Sequence, residues 1–314
     1  MDPIILALQE TQIVVMLSVL ILLFMWESLH PFYAHFTGSF KERGKHVYRN
    51  LVIGAVNGLM VSLLFVGLWF AASVWAEEAG FGIMHWLQDG LGVPSWGHAI
   101  GAILLLDLWT YVWHRMNHEI PFFWRFHSVH HSDSKMDVTT ASRFHLGEIL
   151  FSSLLRIPLI AIFGVYLWEL VLYEIVMFAV VQFHHANVGM SEKYDRLLRA
   201  VIVTPNMHRV HHSRWQPETD SNYSSLFSFW DRLAKTFRLN PEPETIRLGL
   251  DQLDREEDQT IKGMFKTPLK DQDRKLGIPC AKSSNRSRMP KLGQSLQLIG
   301  IMTKGSDHEF RNYI

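Results

Sequence analysis

Apolar residues along this chain are bunched into long runs; they do not recur every three or four positions as on a one-sided soluble helix. The first run, 11–29 (TQIVVMLSVLILLFMWESL), ends before Pro31 and predicts a membrane span. It carries no Lys or Arg ahead of it and no small-residue cleavage site, so it reads as a retained helix and not a signal peptide. A second run, 50–75, has Trp69 and Trp75 near its far end and the acidic pair Glu77 and Glu78 just beyond. Lys41, Arg43, Lys45 and Arg49 crowd the linker between the two runs, which predicts a cytoplasmic linker and places the Glu77 end outside. Residues 81–93 are too short to cross and read as interfacial, with Trp86 as an anchor. A third run, 98–113, is only about 24 Å long as a helix, so that helix should continue past the hydrocarbon.

The longest apolar stretch, 148–183, is broken by Arg156, Pro158, Gly164, Glu169 and Glu174. As one helix it would extend about 54 Å, well beyond a bilayer core of about 30 Å. Two half-depth or tilted helices turning near Gly164 fit better. Glu169 and Glu174, acids inside an apolar hairpin, are expected to pair with Arg156 or to sit at a helix end.

Candidate chemistry lies just outside these runs. His114 and His118 are four apart and share a helical face, and His127, His130 and His131 follow with i, i+3, i+4 spacing. The same triplet returns as His208, His211 and His212. Imidazole is a common ligand for transition metals, and eight such rings, or ten with His145 and His185, exceed what one ion needs. Asn187 is a further candidate, directly or through water. Imidazoles add no negative charge, so Asp107, Asp133, Asp137 and Glu148 are the expected acceptors for the ligands' second N–H groups. His184 would point about 100° away from His185 on a helix. The isolated His30, His35, His46, His85, His98 and His308 are expected at the surface or interface. A single metal site requires the hairpin to fold back, because one crossing would put His185 and the second triplet on the opposite side from His114–His145.

Composition narrows this picture. Lys plus Arg equals Asp plus Glu at 30 each, so bulk charge suggests no nucleic-acid partner. The lone cysteine, Cys280, excludes an internal disulfide framework and a cysteine-rich metal site. Beyond about 272 the chain is polar and rich in Lys and Arg, which reads as a disordered or membrane-surface tail. The expected architecture is all-α: a polytopic membrane helical bundle of about three spans plus a helical hairpin, with a cytoplasmic histidine-rich helical cap. Its parts are N-terminal spans over 1–97, a catalytic region over 98–250 and the tail over 251–314.

The segments DLWTYVWHRMNH, FWRFHSVHHSD, ASRFHLGE, FHHANV, TPNMHRVHH and NYSSLFSFWDRLAKTF resemble the fatty acid hydroxylase/sterol desaturase superfamily in order and approximate spacing, over about 107–237. The resemblance implies a membrane enzyme with a histidine-bound di-iron centre, using O2 and electrons from a separate redox protein to hydroxylate or desaturate a lipid. It implies His114, His118, His127, His130, His131, His185, His208, His211 and His212 as ligands, with His145 as a tenth and Glu148 in support. Leu146 stands where the family usually has proline, Ser224 where it has glycine, and Ala234-Lys235 where it has Phe-Gly. No His-Pro-Gly-Gly haem motif is present, so no fused electron donor of that kind is expected. Two other classes compete: a zinc-dependent lipid hydrolase, for which so many imidazoles are surplus, and a metal transporter, which would carry its ligands inside the spans.

Overall fold

A computed structural model describes residues 3–36, 39–270 and 272; the expected tail beyond 272, with His308, lies outside the described residues. Ten helices carry the argument: α1 (Pro3–Leu29), α2 (Phe40–Leu64), α3 (Val66–Glu78), α4 (Ile83–Leu91), α5 (Ser95–Glu119), α6 (Pro121–His131), α7 (Leu146–Phe163), α8 (Leu167–His185), α9 (Glu192–Leu198) and α10 (Pro205–His211). A 3-10 turn at Val138–Ser142 separates α6 from α7.

Among the described residues, four helices are long and apolar enough to cross a membrane: Thr11–Leu29, α2, α7 and α8. Their outward residues, such as Ile13, Leu17, Leu59 and Leu63, are exposed and apolar, as lipid-facing positions should be. The second span is shifted from its expected limits. It starts at Phe40, where Ser39 caps the helix by accepting from Glu42 N, and so it takes in the basic linker residues. At Phe65 the helical path bends without losing its hydrogen bonds (Phe65 N to Val61 O, Trp69 N to Phe65 O, both 2.9 Å). This brings the Trp69 indole to donate to Ser153 O of α7 at 3.1 Å. The third expected span lies inside the 25-residue α5 and is not one of the four. That helix runs on past the apolar run, as its shortness predicted, and ends at Glu119 because Ile120 precedes Pro121 and takes extended backbone.

The hairpin forms, and each of its arms is long and apolar enough to cross a membrane. With 18 and 19 residues, α7 and α8 are each about 27 Å long. Gly164 turns the chain in the left-handed region (φ 70°), its N–H bonding back to Ile160 O and Ala161 O. Gly82 (φ 118°) lies against that turn so closely that a Cβ on it would sit 2.5 Å from the Gly164 backbone. Both hairpin acids are paired as expected. Glu169 accepts from Tyr166 N at the start of α8 and meets His98 Nδ1 at 2.8 Å, while Glu174 bonds Arg156.

Apolar contacts between helices gain little in lipid, so interhelical hydrogen bonds matter. Several cluster where the spans meet the histidine region. Glu27, a buried acid at the end of α1, accepts from Asn187 N (2.9 Å), Val138 N (3.0 Å) and Arg43 Nη2 (3.2 Å). His46 of α2 lies between Asp133 (2.9 Å) and Asp137 (3.2 Å). The fully buried Arg143 donates to Val129 O, Asn50 Oδ1, Ser132 Oγ and Gln259 Oε1. His85 and His98 are also buried, against Tyr166 (ring centroids 4.9 and 4.6 Å). His46, His85 and His98 thus depart from the surface roles expected of isolated histidines. Each has polar or aromatic partners that are distant in sequence.

Asn222 (φ 54°) and Lys235 (φ 61°) are non-glycine residues in the left-handed region. Asn222 is held there by bonds from its side chain to Met207 O (2.9 Å) and Arg238 O (2.7 Å). Lys235 occupies the position of the expected glycine. Lys235→Gly should therefore raise stability by about 1 kcal/mol, seen as a higher melting temperature of the solubilised full-length protein.

Candidate metal centre

Four helices from distant parts of the chain bring nine of the ten candidate ligands together in two groups. His114 and His118 of α5, His127 and His131 of α6 and His211 of α10 form the first. His130 of α6, His185 at the end of α8, and His208 and His212 of α10 and its cap form the second. Within each group the ligand atoms lie within 4.8 Å of one another. The two triplets divide in opposite senses. On α6 the i and i+4 rings enter the first group and the i+3 ring the second; on α10 the i and i+4 rings enter the second and the i+3 ring the first. The helices therefore straddle both groups. His131 stacks on His212 at a centroid distance of 4.5 Å where the groups meet.

Backbone acceptors fix the ring tautomers. Nδ1 of His114 donates to Tyr223 O (2.8 Å), that of His185 to Val181 O (2.7 Å) and that of His211 to Ser221 O (2.7 Å). Nδ1 of His127 meets Glu148 Oε1 at 2.9 Å, and Nδ1 of His118 faces Asp220 Oδ1 at 3.5 Å. A carbonyl can only accept, so Nδ1 of His114, His185 and His211 carries the proton and Nε2 the lone pair. Those Nε2 atoms point inward at one another: His114 to His211 at 3.0 Å, His114 to His127 at 3.1 Å, and His185 to His130 and His208 at 3.0 Å each. Burial, reinforced by neighbouring rings, holds His130, His131, His208, His211 and His212 well below the ordinary imidazole pKa. These five rings are thus neutral near pH 7, and ring nitrogens in each group are crowded at about 3 Å. A shared cation relieves that crowding. Nitrogens about 2.1 Å from one ion and at right angles to each other are separated by about 3.0 Å, so the donor set fits two metal ions.

The remaining candidates sit elsewhere. His145 is in neither group; its Nδ1 accepts from Gly147 N (2.9 Å) as the N-cap of α7. His184 is also outside them, with its ring 3.9 Å from that of His208. Among the four expected acceptors, Glu148 contacts a candidate ligand ring directly. Asp107 accepts from Tyr173, Trp230 and Phe227 N, and so ties α5 to α8 and to the segment after α10. Asp133 and Asp137 hold His46 and the 3-10 turn, and Asn187 holds the backbone of Tyr33 on both sides (2.9 Å each). Sequence reasoning missed Asp220 and the three carbonyls, which carry no residue-type signal. It also missed Glu27, whose place in an apolar span was a signal.

A cavity of about 830 Å³ opens from the histidines into the membrane-spanning region. His114, His127, His130, His185 and His208 line one end, and Met16, Val66 and Leu170 are among its apolar walls.

A family model for fatty acid hydroxylase matches residues 99–236, which include all nine converging histidines. Over that stretch the chain is similar to the fatty acid hydroxylase family. The chain is 31% identical over 153 residues to ornithine lipid hydroxylase OlsE of Rhizobium tropici, covering 48% of this chain and 44% of that protein. It is 32% identical over 152 residues to human alkylglycerol monooxygenase (48% and 32% covered), and 22% identical over 184 residues to mouse cholesterol 25-hydroxylase (52% and 57%). The matched stretch thus spans less than two thirds of these relatives' lengths. No solved structure matches the chain. Helices α1 to α4 lie outside the fatty acid hydroxylase match, yet α1 and α2 supply Glu27 and His46 to the network behind its histidines.

Glu148→Ala should weaken metal binding about 10- to 100-fold, because His127 loses the acceptor that orients it. His145→Ala should leave metal content unchanged and cost about 1 kcal/mol as a lost cap. Metal analysis and thermal melting of the two variants, side by side, check both outcomes.

Proposed function

We propose that this chain is a membrane-embedded di-iron oxygenase that hydroxylates or desaturates a C–H position of a lipid, using O2 and electrons from a separate electron-transfer protein. The observation that carries this reading is the placement of two adjacent all-imidazole groups at the mouth of an apolar cavity within the membrane helices. The nine histidines named above would hold the metals. When bound, iron supplies the O2 activation and oxidising power for an unactivated C–H bond that no side chain has. Nine imidazole donors also exceed what a hydrolytic zinc, with its usual three protein ligands, would use.

The chain's own residues do the rest. Tyr223 O, Val181 O and Ser221 O, each holding an Nδ1–H, keep His114, His185 and His211 in the tautomer that presents Nε2. Glu148 orients His127 through its contact with Nδ1. The packing of α5, α6, α8 and α10 buries eight of the nine rings. The cavity wall decides which carbon of the lipid rests against the histidines, and with it the choice between hydroxylation and desaturation.

The histidine centre is proposed to face the cytoplasm, together with the C-terminus. The basic residues at the start of α2 lie at the same end of the helices as the histidines, since His46 meets Asp133 and Lys135 bonds Glu42. An excess of Lys and Arg marks the cytoplasmic side.

Anaerobically purified protein should contain two irons per chain and turn over lipid only with O2. His130→Ala and His211→Ala, one from each group, should each abolish turnover while membrane insertion is kept. Stoichiometric zinc, or lipid hydrolysis indifferent to O2, would overturn the reading. For sidedness, Cys280 should react with a membrane-impermeant maleimide only after the cells are permeabilised.

A further inference from the structure

The cavity does not remain apolar along its length. Arg156 of α7 and Glu174 of α8 both line it and bond each other across the hairpin. Arg156 lies eight residues beyond Glu148, which touches His127, and Glu174 lies eleven before His185. At 1.5 Å per residue the pair is about 12 to 16 Å from the histidines, near the middle of a bilayer core about 30 Å thick.

A pair whose only task was to staple two membrane helices would be sealed among their side chains, because an open ion pair at that depth is costly. This one is open to the cavity: the Arg156 and Glu174 side chains are 16% and 24% exposed. Among the described residues the guanidinium makes one hydrogen bond, through Nη1 to Glu174, and lies 5.0 Å from the Trp69 ring. The cavity wall therefore offers a guanidinium with unused N–H donors beside a carboxylate acceptor.

We propose that Arg156 and Glu174 form a subsite for the hydroxyl group of a neutral lipid, holding it about 12 to 16 Å from the carbon that rests against the histidines. A hydroxyl is both donor and acceptor, so it accepts from Arg156 and donates to Glu174 at once. A carboxylate in the same place would face the Glu174 charge. A plain hydrocarbon would cover both groups and satisfy neither. The subsite thus selects for a lipid alcohol that enters hydrocarbon end toward the histidines, and it measures the distance to the reacting carbon from the hydroxyl. This inference rests on the reading of the cavity as a lipid site.

The test uses the full-length protein in nanodiscs, with labelled 1-hexadecanol and hexadecane as matched probes and empty nanodiscs as the reference. The wild-type protein should enrich the alcohol over the alkane by about tenfold, the size of a hydrogen bond to charged partners. Arg156→Met with Glu174→Met should erase that preference, and the exchanged pair Arg156→Glu with Glu174→Arg should restore most of it. Equal partition of the two probes by the wild-type protein would overturn the proposal without any variant, and so would a preference surviving in the double methionine variant. The measurement needs neither metal nor turnover. A protein that oxidised no lipid would count against the oxygenase reading and leave this result standing.

Discussion

Nitrogen lone pairs about 3 Å apart, buried and facing each other, are the constraint on which the rest of this structure depends. Imidazoles left alone would turn away or take up protons. Here they are held by bonds on their far sides, to Tyr223 O, Val181 O, Ser221 O and Glu148. Each of those partners is itself fixed by the fold. Tyr223 N donates to Asp231 at 2.8 Å, and Glu148 sits in the first turn of α7 behind its His145 cap. The convergence of the rings is built from outside inward.

The interleaving of α6 and α10 follows from the same constraint. A triplet spaced i, i+3, i+4 cannot aim all three rings at one point, because the i+3 ring is rotated about 60° from i and the i+4 ring about 40° to the other side. Two such helices, meeting through their histidine rings, resolve this by sharing, each giving two rings to one group and one to the other. The arrangement requires α10 to return to α6 across about eighty residues of chain, and the α7–α8 hairpin makes that return possible. The turn at Gly164, packed against Gly82, thus serves the histidine cluster from the opposite end of the spans.

Between the centre and the lipid, polar residues hold helices that apolar contact alone would hold poorly. Glu27, His46, Asn50 and Arg143 join α1, α2 and the 3-10 turn to the back of α6, and Asp107 joins α5 to the chain after α10. Closeness along the chain points to Asp107, Asp133 and Asp137 as acceptors for the ring N–H groups and to Asn187 as a ligand, directly or through water. In the folded protein they bond to residues far away in sequence. Proximity along the chain did find Glu148, one of the residues in the first turn of a helix that starts beside His127.

The sequence by itself determined the first span, the two triplets and the need for a hairpin, because these rest on hydrophobic run length and helical periodicity, both local properties. It also marked Arg156, Glu169 and Glu174 as needing partners, since an acid or base in an apolar helix cannot stand alone. Only the tertiary structure decided which histidine joins which group, that His145 caps a helix, that His85 and His98 are buried, and that Asp220 faces His118. Those outcomes depend on how helices tens of residues apart face one another, and on backbone carbonyls that every residue possesses. Neither leaves a mark in residue type or spacing.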